Sequence, residues 1–270
     1  MTPAETYALI RYDNFPLPQT HPSRLHALGK LLGMNPAKVA TCRVLELGAS
    51  EGANLIPIAH RFSQAECTGI DLAVEPIRRA QAFAKEFGLG NLRLETKDLL
   101  DLDASFGTFD YIIAHGLYSW TPAAVRDKIL KILSDMLAPQ GIGFVSYNAQ
   151  PAGHIRQMVR EMMLFNARDA AGPEEQVAKA RELLELLGRT RPPREVDKMD
   201  AYDAVLTAHA AELFHQRSPN QMFHDDLALC FEPVAIAGFV AHARHHGLQY
   251  LDDAGNARPP GHSHTKGFGC

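Results

Sequence analysis

Between residues 43 and 148 the sequence alternates short apolar runs with stretches of helical periodicity. Each apolar run is continuous, which is typical of strands that are buried on both faces. Strands and helices that alternate along a chain form a parallel sheet with helices on both sides. The pattern therefore predicts an α/β fold with a doubly wound, Rossmann-like, mostly parallel sheet. The predicted strands are Val44–Leu47, Cys67–Leu72, Leu92–Glu95, Tyr111–Ala114 and Gly143–Tyr147, and the predicted helices are Ala53–Phe62, Glu75–Phe87 and Pro122–Leu137.

The regions on either side of this alternation have a different character. An aromatic and proline-rich start precedes a helix that opens at Pro22 and ends at Gly33. After residue 150 the periodicity is helical, until the apolar run Leu248–Leu251 predicts a sixth strand. We expect a lid and helix over 1–42 and the sheet core over 43–150. A helical insertion follows over 151–232, with helices near 153–168, 173–188 and 197–217. A helix near Pro233–His246 and a strand complete the sheet over 233–253, and a disordered tail occupies 254–270.

Composition excludes several classes of protein. The net charge of −4 gives no electrostatic reason to expect a nucleic-acid partner. The four cysteines are scattered without a CxxC pair, which indicates neither a zinc site nor a disulfide framework. No apolar run approaches the roughly 20 residues that span a bilayer, and the N-terminus has no signal-peptide pattern. We therefore expect a soluble cytoplasmic protein without a nucleic-acid or membrane partner.

The turn in VLELGASEGANL, residues 44–55, joins the first predicted strand to the first predicted helix. A dinucleotide-binding turn would need glycine at Ser50 and at Ala53, and a P-loop would need Gly-Lys-Ser/Thr from Ala53 onward. Both fingerprints fail. What remains is Glu46, two residues before Gly48. A carboxylate at the strand end is an unfavourable neighbour for a pyrophosphate, so the pattern favours a ligand with a positive centre.

S-adenosylmethionine carries two positive centres, a sulfonium and an ammonium. The second predicted strand ends at Asp71 and Leu72, where a carboxylate can accept hydrogen bonds from both ribose hydroxyls. Asp98 follows the third strand and is placed to meet an adenine amino group, with the backbone N–H of Leu99 beside it. For Asp98 alone, a helix cap or a solvated loop residue is an equally good interpretation. Occurring together at successive strand ends, Glu46, Gly48, Gly52 and Asp71 favour the cofactor site.

Several longer motifs make the chain similar to a known family. These are FPLPQTHPSRL, RVLELGASEGANLIPIA, FDYIIAHGLYSW, VRDKIL, VSYNAQPAGH, MVREMMLF and HARHHGLQYL. In this order they resemble the class I S-adenosylmethionine-dependent methyltransferases of bacteria that carry a methyltransferase regulatory domain. Relatives of that family include protein-lysine methyltransferases that modify outer-membrane proteins. The resemblance covers the chain to about residue 253 and is a weak guide to the substrate.

The resemblance implies roles for the residues that match its motifs. Glu46, Gly48 and Gly52 would form the first cofactor loop, Asp71 would hold the ribose, Asp98 and Leu99 would flank the adenine, and His115 would lie beside the methionine part. Where the family commonly has ELGCGDGGNL, this chain has Ser50 in place of a glycine. The added side chain would either crowd the cofactor or require a positive φ from a non-glycine residue, which is strained. We therefore expect Ser50 to weaken cofactor binding without abolishing it.

The acceptor side is less defined. His115, Tyr118 and Tyr147 are the predicted catalytic residues: His115 to take a proton from an amine, and a tyrosine to line an acceptor channel. Packing beneath a lid is an equally good interpretation of the tyrosines and of Trp120. Other candidates at the cleft are Asn148, His224 and Asp225.

Methyl transfer from a sulfonium needs no metal, and proximity and orientation supply much of the catalysis. His242, His245 and His246 share a helix face near a C-terminus, which favours a solvated cluster stabilised by the helix dipole. The D/N-P-P-Y/F turn of nucleic-acid amino-methyltransferases is absent after the fourth strand, where AHGL stands instead. Two functions remain: methyl transfer to a protein side chain, most readily lysine, or to a small molecule, and a weakly catalytic or inactive cofactor-binding protein.

The end of the sequence departs from the family. A seventh strand should follow Leu248–Leu251, but GNARPPGHSHTKGFGC has no strand pattern. We expect a truncated or frameshifted version of the family that lacks this strand and any later domain. The alternative is that a strand of a partner chain, or nothing, covers the sheet edge.

Overall fold

A computed structural model describes residues 10–189 and 201–254. Its centre is a sheet of five parallel strands in the order β3-β2-β1-β4-β5. This arrangement confirms the predicted α/β class. The strands are β1 Arg43–Leu47, β2 Glu66–Asp71, β3 Leu92–Thr96, β4 Phe109–Ala114 and β5 Leu137–Val145.

Eight helices of seven or more residues lie within the described ranges. Three of them follow β1, β2 and β4 and provide the crossovers that parallel strands require. Short 3₁₀ turns occupy several loops, and a brief helical segment, Pro219–Gln221, continues into a π-helical turn, Met222–Asp226. The helices are α1 Pro22–Leu31, α2 Leu55–Arg61, α3 Val74–Glu86, α4 Ala123–Met136, α5 Ala152–Asn166, α6 Pro173–Gly188, α7 Ala201–Gln216 and α8 Ile236–His245.

The sheet is buried on both faces, as its continuous apolar strands require. On one face Val44 packs with residues of α1, α2 and α3, and on the other Leu45 packs with residues of α4. Neighbouring positions of β1 thus enter opposite cores, as a pleated strand demands. Helices α5, α6 and α7 enclose a separate apolar cluster around Met163, Leu184 and Ala210.

The strand order reverses between β1 and β4. From β1 the chain moves to β2 and β3 on one side, then returns to form β4 and β5 on the other. In open α/β sheets, ligands bind outside the carboxyl ends of the strands at such a switch point. The switch point therefore lies where β1 ends at Leu47 and β4 ends at Ala114.

The fifth strand differs from its prediction. It begins at Leu137, where the sequence predicted the end of a helix, and it ends at Val145 rather than Tyr147. Leu137 pairs with Phe109 and Ile142 pairs with Tyr111, so a register shift adds residues to β5 ahead of the predicted apolar run. Proline and glycine are unfavourable in strands, but pairing with β4 outweighs that local preference.

The predicted strand Leu248–Leu251 is wrong, because these residues have no strand structure. Gly247, at φ +73°, ends α8 in a Schellman motif, and the Leu248 N–H donates to the Ala243 carbonyl at 3.0 Å. The outer edge of β5 consequently has no paired strand within the described residues. A cavity of about 790 Å³ separates that edge from residues 247–254.

Three predicted segments fall partly or wholly outside the described residues. They are the start of the N-terminal lid before residue 10, the segment 190–200 between α6 and α7, and the predicted tail from residue 255 onward.

Candidate cofactor site

The loop after β1 turns through the two glycines that the sequence singled out. Gly48 and Gly52 both have φ near +73°, a conformation that glycine adopts without steric cost. A Cβ at Gly48 would also stand 2.9 Å from a Leu117 side-chain carbon, so this glycine allows the loop to pack closely against the segment after β4. The N–H groups of Gly48 and Ala49 both donate to the Ile70 carbonyl, at 2.8 and 2.9 Å, which fixes the loop against the end of β2.

Ser50 has φ +47°, the left-handed conformation that was one of the two alternatives for its place in the motif. Its backbone N–H donates to Asp71 Oδ2 at 2.8 Å. This hydrogen bond joins the first cofactor loop to the predicted ribose-binding residue and helps to hold Ser50 in a conformation that costs a non-glycine residue free energy.

Glu46 is almost completely buried, at 4% exposure, one residue before the end of β1. Its Oε1 accepts a hydrogen bond of 2.7 Å from Asn54 Nδ2, whereas its Oε2 is buried without a hydrogen-bond partner among the described residues. Burial, reinforced by the negative charge of Asp71, raises the pKa of Glu46 to about 8. A buried, half-satisfied carboxyl group is a feature that needs a physical explanation.

Asp71 ends β2 with both carboxylate oxygens engaged. Oδ2 accepts from Ser50, and Oδ1 accepts from the Ala73 N–H at 2.8 Å. Burial raises its pKa, and the hydrogen bonds from backbone N–H groups oppose this effect. Each oxygen retains a lone pair that can accept from a further donor. The adjacent Leu72 is 46% exposed, an apolar side chain open to solvent beside the site.

Asp98 caps a short 3₁₀ turn, because its Oδ1 accepts from the Leu100 N–H at 2.9 Å. The capping interpretation of Asp98 is therefore correct, and its contact with adenine stays a prediction. Leu99 begins the turn and packs its side chain against the core on the α4 face.

His115 and Tyr147 follow the ends of β4 and β5, and both line the cavity beside β5. Glu46 and Asp71 do not line this cavity. Burial lowers the pKa of His115, which keeps its imidazole neutral at neutral pH. The Tyr147 ring stacks on Phe239 of α8, with 4.5 Å between ring centroids.

Tyr118 lies in a packed position rather than in an open channel. It is 3% exposed, and its hydroxyl lies 2.7 Å from His242 Nδ1 of α8. The geometry therefore matches the alternative of packing, and gives no support to a channel-lining Tyr118. Trp120 likewise donates from Nε1 to the Asp225 carbonyl at 3.4 Å.

The candidates in the π-helical turn contact the N-terminal segment. The Ile10 carbonyl lies 2.7 Å from His224 Nε2, and Tyr12 donates its hydroxyl to Asp225 Oδ1 at 3.3 Å. Asp225 is also paired with Arg217, at 3.3 Å. These contacts fasten residues 10–12 to the helical insertion.

Asn54, which no sequence motif marked as a site residue, connects this segment to the site. Asn54 Oδ1 accepts from the Leu17 N–H at 2.8 Å, while its Nδ2 donates to Glu46. Arg11 pairs with Glu51 of the same loop, 2.6 Å between Nη2 and Oε2. The only local sign of this role was the position of Asn54 just before α2. Its two partners are set by tertiary structure.

The residues at the switch point fit S-adenosylmethionine. Glu46 Oε2, which has no hydrogen-bond partner in the described part of the chain, matches a cationic group, and the remaining acceptor capacity of Asp71 matches the ribose hydroxyls. The fit follows from the donor and acceptor chemistry of the chain itself.

Comparison with known proteins supports the fold and S-adenosylmethionine as the cofactor. A family model described as a methyltransferase domain matches residues 44–141. PKMT2 from Rickettsia typhi in complex with AdoHcy has a similar structure, with a TM-score of 0.82 and 32% identity over 90% of this chain and 46% of that chain. Together, the fold and these matches identify a class I S-adenosylmethionine-dependent methyltransferase domain in the chain.

Two curated relatives come from Rickettsia prowazekii. RP028, an uncharacterized protein, is 36% identical over 66% of this chain and 73% of its own length. The chain therefore belongs to the same family as RP028. RP789, also uncharacterized, is 35% identical over 92% of this chain. The chain spans less than half of RP789 and of PKMT2, at 44% and 46% of their lengths.

No helix within residues 10–189 and 201–254 combines the length and apolar character needed to cross a membrane.

Proposed function

We propose that this protein transfers a methyl group from S-adenosylmethionine to a protein side chain, lysine first, with a small molecule as the alternative acceptor. The observation that carries the proposal is the buried Glu46 carboxyl group, whose Oε2 has no partner among the described residues and lies at the topological switch point. PKMT2, a relative of similar structure, has been crystallised with AdoHcy. The motifs of the sequence resemble a family whose relatives include protein-lysine methyltransferases, which makes lysine the first acceptor to test.

Each residue of the site has a proposed task. Glu46 binds the cationic methionine end, and Asn54 fixes the orientation of its carboxylate through the 2.7 Å hydrogen bond. Asp71 accepts from the ribose hydroxyls while the Ser50 and Ala73 N–H groups hold it in place. The backbone at Gly48 and Gly52 allows the ligand to approach closely.

S-adenosylmethionine, when bound, supplies a methyl group on a good leaving group. The tasks left to the protein are to position the acceptor, to exclude water and to take up a proton. His115 suits proton uptake because burial keeps it neutral, so that it has a nitrogen lone pair available. Tyr147, held by Phe239, would line the acceptor side.

The N-terminal segment is proposed to act as a lid. Arg11 and Leu17 contact the cofactor loop through Glu51 and Asn54, while Tyr12 contacts the helical insertion. A segment held at both ends can cover the bound ligand and keep water out. These contacts support a lid made from residues 10–20.

A methyl-transfer assay tests the proposal. Purified protein, lysate and S-adenosylmethionine with a radiolabelled methyl group are incubated, and labelled products are separated into protein and small-molecule fractions. Label in a protein band that is lost with Asp71→Ala supports a protein acceptor. Label in small metabolites identifies the alternative acceptor class. Cofactor binding without transfer to either fraction contradicts catalysis and indicates the inactive cofactor-binding protein, for which the strained Ser50 is the supporting observation.

A further inference from the structure

Asp127, His242 and His246 bring three potential metal-binding atoms together between α4 and α8. Asp127 Oδ1 lies 3.2 Å from His242 Nε2 and 2.8 Å from His246 Nε2. One ligand atom from each of the three residues lies within 4.8 Å of the other two. None of these residues belongs to the proposed cofactor site.

The spacing of these atoms suits a small divalent ion. His242 and His246 are four residues apart, so that both rings project from one side of the end of α8. In a tetrahedral zinc site with bonds of 2.0–2.1 Å, neighbouring ligand atoms are about 3.3 Å apart. The observed distances of 3.2 and 2.8 Å are close to this value. The C-terminal end of a helix also favours positive charge.

A hydrogen bond from behind the cluster orients one ligand. The Tyr118 hydroxyl lies 2.7 Å from His242 Nδ1, which leaves Nε2 as the nitrogen that faces Asp127. Metal-binding histidines usually have such a partner on the ring nitrogen that does not bind the metal. Because Tyr118 is buried, the ring of His242 is held by the core as well as by the helix.

We propose that Asp127, His242 and His246 bind a divalent transition-metal ion, with Zn²⁺ the best match to two imidazoles and one carboxylate. The Asp127 side chain is 55% exposed, so water can complete the coordination. The bound ion joins α4 to α8. Since Phe239 of α8 stacks on Tyr147, the ion also stabilises the packing behind the acceptor side.

The sequence alone pointed to a different set of residues. It grouped His242 and His246 with His245 as a solvated cluster, whereas His245 is exposed and is not part of the metal-binding cluster. The carboxylate that completes the set comes from a helix 115 residues earlier in the chain.

Titration calorimetry with ZnCl₂ tests the proposal on protein without an affinity tag, after treatment with a chelator. We expect one ion to bind per chain and the melting temperature to rise with zinc concentration. Asp127→Asn and His246→Asn should each weaken binding by at least about tenfold, and Tyr118→Phe by about tenfold through loss of orientation of His242. His245→Asn is the matched control and should bind zinc like the original protein.

Melting temperatures measured in chelator show whether each variant is folded, so that loss of the site is distinguished from loss of the fold. The proposal is overturned if the original protein binds no zinc at a zinc concentration of about 100 μM, because a dissociation constant above that value is far too weak for a structural site. It is also overturned if folded Asp127→Asn and His246→Asn bind zinc as tightly as His245→Asn does, because the ion then occupies another site.

Discussion

Replacing Glu46 with glutamine should stabilise the cofactor-free protein at neutral pH. Burial raises the pKa of this carboxyl group to about 8, from 4.5 in an unfolded chain. Because the pKa of Glu46 is higher in the folded state, the protonated carboxyl group stabilises the fold fully below pH 4.5. This contribution to stability is lost as the pH rises through 8. At about 1.4 kcal/mol per pH unit, the loss reaches about 3 kcal/mol at pH 7.

Glutamine removes this penalty with little change of shape. Its side-chain oxygen can still accept from Asn54 Nδ2 at the position of Oε1. Urea denaturation from pH 5 to pH 7 should therefore show the advantage of Glu46→Gln increasing by about 2–3 kcal/mol with pH. Glu66→Gln changes an exposed carboxylate at the start of β2 and serves as the control. Parallel pH profiles for the original protein and Glu46→Gln would refute the reasoning.

The same substitution should weaken cofactor binding. Truncation of one partner of a buried charge pair costs about 2 kcal/mol or more, which is about thirtyfold in affinity. Because pH 7 lies below the pKa of Glu46, binding of a cationic ligand should also release a proton. Calorimetry in buffers of different ionisation enthalpy would detect this proton, and Glu46→Gln should not release it. Stability gained together with affinity lost is typical of a functional residue.

Three further substitutions test the loop and the insertion. Ser50→Gly relieves the backbone strain at φ +47°, so we expect the free energy of unfolding to rise by about 1 kcal/mol in urea denaturation. Cofactor affinity should rise severalfold in calorimetry. A fall in both quantities would show that the serine side chain contributes to stability and binding. Gly48→Ala forces alanine to φ +73° and against the Leu117 side chain, so we expect urea denaturation to show a loss of at least about 1–2 kcal/mol. In the control, Gly238→Ala, the added methyl group meets open space. Equal free energies of unfolding for Gly48→Ala and the original protein would disprove a required glycine. Arg156→Met leaves the fully buried Asp226 without its 2.6 Å partner and should cost about 3 kcal/mol; an unchanged urea midpoint would contradict this.

The sheet was predictable because each of its first four strands is encoded by a short pattern of neighbouring residues in the sequence. Continuous apolar runs and helical periodicity identified β1 to β4 with boundaries within two residues. Glu46, Gly48, Gly52 and Asp71 could be placed at the site because the carboxyl ends of parallel strands share one edge of the sheet. The position of Ser50 in the loop left two alternatives, crowding of the cofactor and a left-handed conformation, and the structure has the second.

The errors and omissions depend on contacts between distant residues. Leu248–Leu251 has the composition of a strand, but its first N–H is used by the end of α8. Tyr118 follows a strand end like a ligand-binding residue, yet α8 packs over it and its hydroxyl lies 2.7 Å from His242 Nδ1, so its catalytic role stays a prediction. Asn54 accepts from Leu17, 37 residues earlier, and the partners of Asp127 lie at least 115 residues later, which no local pattern encodes.

The central claim is that S-adenosylmethionine binds at the ends of β1 and β2, and calorimetric titration with this ligand tests it most directly. We predict saturable binding of one ligand per chain and at least about tenfold weaker binding by Asp71→Ala, because hydrogen bonds to a charged group contribute about 1.5–3 kcal/mol. Asp101→Ala, which removes an exposed carboxylate after β3, should bind normally. No binding at millimolar ligand, or the same affinity for Asp71→Ala as for the original protein, would contradict the account.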